Sequence, residues 1–357
     1  MSLDVATIAS SPSGLQIFWF VLIGVLWLGY FFLEGFDFGV GTLMPLLARD
    51  DLDRRVIINT IGPVWDGNEV WLLTAGGAMF AAFPLWYATV FSGFYLALFL
   101  VLAALIFRGV AFEFRSKRPD ASWRAWWDRA IFWGSALPAL LWGVAFADFI
   151  HGVPVAAHQA WTGNFFDLVK PYALLGGLTT LSLFTLHGAT FLSLKTDGAL
   201  RDRAHDAARR LSPVALVLMF AFLGWTYLTA HSTHHSGLVP PFLPVAGLVV
   251  LAAVAWLVRD RLDGWAFVGT GLTVIALFAT LLLNLYPDVL VSSVAKADTI
   301  TIVQAASHPY TLKVMTIVAG IFTPFVLAYQ AWTYWVFRQR VRRPHEVPAG
   351  EPASAEG

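Results

Sequence analysis

Cysteine is absent from the 357 residues, which excludes disulfides, thiolate zinc sites and cysteine-held iron–sulfur clusters. Charge is scarce: 13% of the residues are charged and 58% are apolar, whereas a soluble domain carries roughly 25% charged residues. Neither sign dominates, with 23 Lys+Arg against 23 Asp+Glu, so no electrostatic footprint for nucleic acid exists. The beginning of the chain lacks a basic stretch and an A-x-A-like cleavage site ahead of a short apolar core. The first apolar run is therefore expected to stay as a membrane span rather than be removed as a leader. What is abundant is aromatic surface, with 16 Trp and 29 Phe, as in the interface belts of a bundle of spanning helices.

Windows of about 20 apolar residues give nine candidate spans, at 15–42, 55–83, 86–112, 126–151, 170–194, 208–230, 240–258, 264–286 and 312–338. The stretch 240–258 is the shortest and opens on Pro240 and Pro241. Strand-length alternation is not visible, and lipid does not satisfy open backbone groups, so the spans are helical. The expected fold is all-α: a polytopic membrane bundle of nine helices in one domain, residues 1–343. Two groups of four helices plus one peripheral helix fit that count. Residues 344–357, rich in Pro, Ala and Glu, are expected to be a disordered cytoplasmic tail. The outer loop 287–311 is long for a bundle and is expected to fold over the outer face.

Positive charges test the arrangement. With the N-terminus outside, the inward segments are 43–54, 113–125, 195–207, 259–263 and the tail from 338. All basic residues except Lys170, Lys296 and Lys313 lie in or beside those segments. Basic residues stay on the cytoplasmic side, so the chain reads N-out and C-in.

A charge in the bilayer core costs at least ~2.5–3.5 kcal/mol on insertion scales, so each one demands a reason. Glu34 and Asp37 in the first span are three residues apart, on one helix face, beside Gly35, Gly39 and Gly41, which let a neighbour approach. Asp66 and Glu69 repeat the spacing in the second span, next to Trp65, Asn68 and Trp71. At 1.5 Å per residue from Arg55, Asp66 lies about 16 Å inside. Two readings stand side by side: structural acids hydrogen-bonded within a tight helix contact, or a ladder of four carboxylates that relays protons from the cytoplasm.

Other polar residues at depth are read more plainly. Arg108 closes the third span, where an arginine ordinarily snorkels to the interface. Asp148 and His151 stand near the outer end of the fourth span and are assigned helix-end or loop hydrogen bonds. His187 is the one histidine well inside a span, more in keeping with a satisfied core residue than with a haem or metal ligand. His231, His234 and His235 cluster in an outer loop without an evident carboxylate or well-placed further ligand for a metal site. No pair of facing haem ligands emerges, so no cofactor or metal is expected on this chain.

Several blocks carry a family resemblance. They are Glu34-Gly-Phe-Asp-Phe-Gly-Val-Gly-Thr42, Arg54-Arg55, Asn59-Thr-Ile-Gly-Pro-Val-Trp-Asp-Gly-Asn-Glu-Val-Trp-Leu72, Thr74-Ala-Gly-Gly-Ala78 and Phe91-Ser-Gly-Phe-Tyr95. Phe107-Arg-Gly-Val-Ala-Phe-Glu-Phe-Arg-Ser-Lys117, Gly152-Val-Pro154, Tyr286-Pro287, Ser292-Ser293, Leu312-Lys-Val-Met315 and Tyr329-Gln-Ala-Trp332 follow in order. Across nearly its whole length the chain resembles subunit II of the cytochrome bd-type quinol oxidases.

The resemblance implies a haem-free subunit that packs against subunit I in a bacterial cytoplasmic membrane. Subunit I of that family holds the haems, b with d or b alone, and the quinol site. The complex oxidises ubiquinol or menaquinol and reduces dioxygen to water with protons from the cytoplasm. Glu34, Asp37, Asp66 and Glu69 match the acidic positions of the family's motifs as a proton path, with Glu34 where the family often has Asp. Trp65, Trp71, Asn68 and Arg108 are candidates for the subunit contact or a gas path, Arg108 by pairing with an acid of this chain or of subunit I. A structural quinone in this subunit and a small single-span accessory subunit are both compatible with the resemblance.

A stand-alone proton-coupled transporter is the rival from another class. Transporters show inverted repeats with broken helix pairs in corresponding halves, whereas the buried acids here crowd into the first two spans and no fixed-period repeat is visible.

Overall fold

The computed structural model describes residues 11–232 and 242–343. The expected tail 344–357, Pro240 and Pro241, and His234 and His235 of the outer-loop cluster lie outside the described residues, as does the side chain of His231.

Helix α1 (Gly14–Leu47) starts on a capping box, Ser13 accepting from Gln16 N while the Gln16 side chain accepts from Ser13 N. It runs for 34 residues. The stretch expected as one second span is divided into α2 (Asp51–Ile61) and α3 (Trp65–Ala82). Pro63 has no N–H to donate and its ring crowds the preceding turn, so the helix stops and restarts. Gly62 N still closes on Ile58 O at 2.9 Å and Val64 N on Ile61 O at 2.9 Å. Helices α4 (Pro84–Gly93) and α5 (Tyr95–Phe114) follow, joined at Phe94.

The remaining helices are α6 (Ala121–His151), α7 (Pro171–Lys195), α8 (Gly198–Ser232), α9 (Phe242–Arg259) and α10 (Asp263–Leu285), then the single turn α11 (Ile302–Ala305) and the long α12 (Pro309–Val336). Eight of the described helical segments are long and apolar enough to cross a membrane. Helix α3 is not among them, because Asp66, Asn68 and Glu69 in its first turns lower its hydropathy.

Helix α1 is the hub, packed against α3, α6, α7 and α10. Glycine makes the closest crossing possible: a Cβ on Gly39 would meet Gly188 N of α7 at 2.7 Å, and one on Gly35 would meet the Phe184 ring at 2.8 Å. Phe31, Phe146, Phe184 and Phe278 stack between these helices, with 3.7 Å between the Phe31 and Phe278 centroids. By contrast, only 6% of the apolar window of α12 is buried within the chain.

At the end opposite the basic loops, residues 286–308 lie across the bundle. Strands β1 (Asp288–Leu290) and β2 (Ile300–Thr301) form a small antiparallel hairpin. Val153 bridges to this segment through Val153 N to Val291 O at 3.0 Å and Ser293 N to Val153 O at 2.9 Å. Ser307 N donates to Ala82 O at 2.8 Å, fastening the loop to α3.

Candidate functional site

Arg108 is the centre of the polar site. A position near a helix end would let it snorkel, yet it is fully buried because α5 packs there against α6; a Cβ on Gly134 would meet Arg108 Cβ at 2.7 Å. The guanidinium donates from Nη2 to Glu34 of α1 and, at 3.1 Å, to Glu69 Oε2 of α3. Its Cζ sits 4.8 Å from the Phe38 ring centroid. Three helices are thus joined at one cation.

Asp37 lies one turn from Glu34 and is also fully buried. Its Oδ2 accepts from Asn68 Nδ2 at 2.7 Å. Asn68 Oδ1 in turn accepts from Tyr334 OH at 2.7 Å and Gln330 Nε2 at 3.3 Å, both on α12. Gln330 Oε1 accepts from Trp71 Nε1 at 2.7 Å. A string of hydrogen bonds therefore runs from Trp71 through Gln330 and Asn68 to Asp37. Among the described residues, Glu34 Oε2, Asp37 Oδ1 and Arg108 Nε and Nη1 have no hydrogen-bond partner.

The four acids are not equivalent. Glu34 and Asp37 are enclosed, the Glu69 side chain is 25% exposed, and Asp66 lies on the surface of the chain. No hydrogen bond or ion pair among the described residues reaches Asp66. Glu69 and Asp66 are one helical turn apart, so the acids step from the interior to the surface of α3. Trp65, half-buried, packs its ring against Phe112 with centroids 5.1 Å apart. Trp71 fills the space a side chain on Gly29 would need. An apolar cavity of about 300 Å³ bounded by Trp27, Leu72, Met79, Trp142 and Phe146 has neither Trp65 nor Trp71 in its wall.

Gln330 falls in the Tyr329-Gln-Ala-Trp332 block, but neither it nor Tyr334 was singled out as a site residue, since a neutral amide and a tyrosine in a terminal span look like interface residues. The signal that existed was Asn68 itself, an amide at depth that needs donors and acceptors from elsewhere.

Two histidine and acid positions complete the picture. His187 Nδ1 lies 2.7 Å from Thr270 Oγ1 and Nε2 lies 3.2 Å from Phe32 O, with the ring stacked on Phe267. Both ring nitrogens are engaged. Asp148 is fully buried and neither of its carboxylate oxygens has a hydrogen-bond partner among the described residues, in contrast to the helix-end bonds expected for it. No three His, Asp or Glu side chains converge as a ligand set among the described residues.

Known proteins resemble the chain closely. The family model described as cytochrome bd terminal oxidase subunit II matches residues 15–337. The chain is 43% identical over 339 residues to cytochrome bd ubiquinol oxidase subunit 2 of Bacillus subtilis, covering 94% of this chain and 99% of that protein. It is 38% identical over 363 residues to cytochrome bd-I ubiquinol oxidase subunit 2 of Escherichia coli, covering 92% and 96%. In fold it is similar to a chain of the bd oxidase from Geobacillus thermodenitrificans, with a TM-score of 0.72 at 16% identity over 91% of this chain and 97% of that one.

Proposed function

The chain belongs to the cytochrome bd terminal oxidase subunit II family, and from that premise we propose that its buried acids carry protons for the oxidase. It is a membrane subunit of a quinol oxidase. On our reading it crosses a bacterial cytoplasmic membrane nine times, α2 and α3 together making the second passage, N-out and C-in. Its partner is subunit I, which holds the haems and oxidises quinol, while this chain holds none. The occupied ring nitrogens of His187 support that last part.

One observation carries the proton reading: two carboxyls, Glu34 and Glu69, share a single buried guanidinium, and a third, Asp37, is enclosed one turn away with only the neutral Asn68 amide as its partner among the described residues. Three ionised acids against one arginine would leave net negative charge in a low-dielectric interior, at a cost of several kcal/mol per unpaired ion. Such a site holds at least one proton, and the unpartnered oxygens of Glu34 and Asp37 offer places for it. Glu69 and then Asp66 lead from there to the surface of α3, which we assign to the contact with subunit I. A purely structural contact would need one acid for the arginine, not two with a third enclosed beside them.

The test is Asp66→Asn and Glu69→Gln in the assembled oxidase, each read by oxygen consumption and proton uptake at unchanged haem content. Each is expected to slow both at least about tenfold. An assembled variant with full turnover and full uptake would remove that residue from the route.

A further inference from the structure

A second cavity, of about 410 Å³, lies at the basic end of the bundle between α1, α7, α10 and α12, near the Pro63 break. Its depth is walled by the rings of Phe32, Phe36, Phe191 and Phe267, and Tyr334 stands on its α12 side. Its rim carries three cations, Lys195, Arg338 and Arg340, and no Asp or Glu lines it. Apolar depth and an uncompensated positive rim in one chamber are the two halves of a site for an anionic amphiphile.

The cations are short of carboxylates for a structural reason. Lys195 Nζ donates to the carbonyls of Phe337 and, at 2.7 Å, Gln339, and Val341 N donates to Lys195 O at 2.8 Å. These bonds lash the segment after α12 to the end of α7 and turn Arg338 and Arg340 to the rim. Arg338 donates to Trp335 O at 2.7 Å and stacks on the Trp335 ring. The nearby acids are taken by other arginines: Asp53 by Arg203 and Arg343, Asp50 by Arg343, Asp197 by Arg342. Among the described residues, no acid lies within 4.0 Å of Lys195, Arg338 or Arg340.

We infer that this chamber binds an anionic phospholipid, an acyl chain against the four phenylalanines and the phosphodiester at Lys195, Arg338 and Arg340. A free phosphate would leave the apolar depth unused, and a neutral amphiphile would leave the cations unanswered. Tyr334 joins the wall of this chamber to Asn68 and Asp37, but the lipid contacts are with other residues and the inference does not depend on the role of the acids.

The decisive experiment uses the complete oxidase in membranes containing a photoreactive phosphatidylglycerol or, separately, a photoreactive phosphatidylcholine with the label on an acyl chain. The anionic probe is expected to label residues 32–36 and 191–194 several-fold more than the zwitterionic one. Equal labelling by both probes, or labelling only elsewhere, overturns the proposal. Arg338→Gln with Arg340→Gln, purified with full haem content, is expected to retain about tenfold less anionic lipid through detergent exchange. Unchanged retention, or a quinone in place of the phospholipid in extracts of the wild type, also overturns it. If the double variant does not assemble, the probe pair on the wild type decides alone.

Discussion

Two regions of this molecule are built from the same parts and behave oppositely. At the basic end, Asp51 accepts from Arg115 at 2.7 Å and Arg124 at 2.9 Å, and Asp128 pairs with Arg115 at 2.5 Å and Arg54 at 3.2 Å. Asp53 pairs with Arg203 at 2.6 Å and Arg343 at 3.4 Å, and Asp50 with Arg343 at 2.6 Å and the Asp53 N–H at 2.8 Å. Every carboxylate oxygen of these four acids is engaged, and arginines outnumber acids. Around Arg108 the ratio is reversed, and two carboxylate oxygens have no partner. A saturated ring of charges at a water interface staples helix ends together; an unsaturated one in the interior keeps capacity for protons.

The largest effect expected is at the centre. Arg108→Ala removes the one cation that touches Glu34 and Glu69 among the described residues and strands buried acids, at a cost of about 3–5 kcal/mol. The assembled oxidase should then lose most of its haem, read from the reduced-minus-oxidised spectrum. Unchanged haem content would mean that the interior cluster is no more demanding than the belt, and the contrast would fail.

In the belt the same kind of change should be mild. Asp51→Asn weakens the contacts to Arg115 and Arg124 at a partly exposed site, at a cost of about 1 kcal/mol. The complex should melt a few degrees lower with oxygen consumption unchanged. A loss of turnover would join the belt to the function of the centre.

The smallest effects are those of pH and salt. The Asp53 backbone N–H, then Arg343, hold Asp50 below the usual carboxylate range. For Asp51 burial favours the neutral acid, but the bond and charge of Arg115, with Arg124 and Arg55, outweigh it and lower its value too. A lowered folded-state value gives stability that is complete above the unfolded value of about 3.9 and is lost as pH falls through the folded one. The belt should therefore hold its melting temperature from neutrality down to about pH 5 and lose it below about pH 4. Added salt should lower the melting temperature slightly at neutral pH. A melting temperature insensitive to both would show that the belt contributes nothing measurable.

Hydropathy and charge placed the apolar stretches and located Glu34, Asp37, Asp66, Glu69 and Arg108 at membrane depth, because those signals are local. What joins them is not local. Arg108 and Glu34 are 74 positions apart, and spacing on one helix says nothing about which arginine another helix presents. The break at Pro63 escapes a window of about 20 residues, which averages over Gly62 and Pro63 together with the apolar residues on either side. Asp66 shares a helix face with Glu69, yet the width of that face takes one inside and the other to the surface. Asp148 looked like a helix-end residue by position, and only packing reveals that it is enclosed.

The hydrogen bonds from Gln330 and Tyr334 to Asn68 also order events in time. A ribosome delivers α1, α3 and α5 to the membrane long before α12, so the acids and Arg108 can meet while Asn68 Oδ1 still waits for its donors. The last long helix to be made closes the polar network begun by the first. A chain that stops short of Gln330 leaves the Asn68 amide and the Trp71 indole without these partners at membrane depth, so the network is complete only when synthesis is.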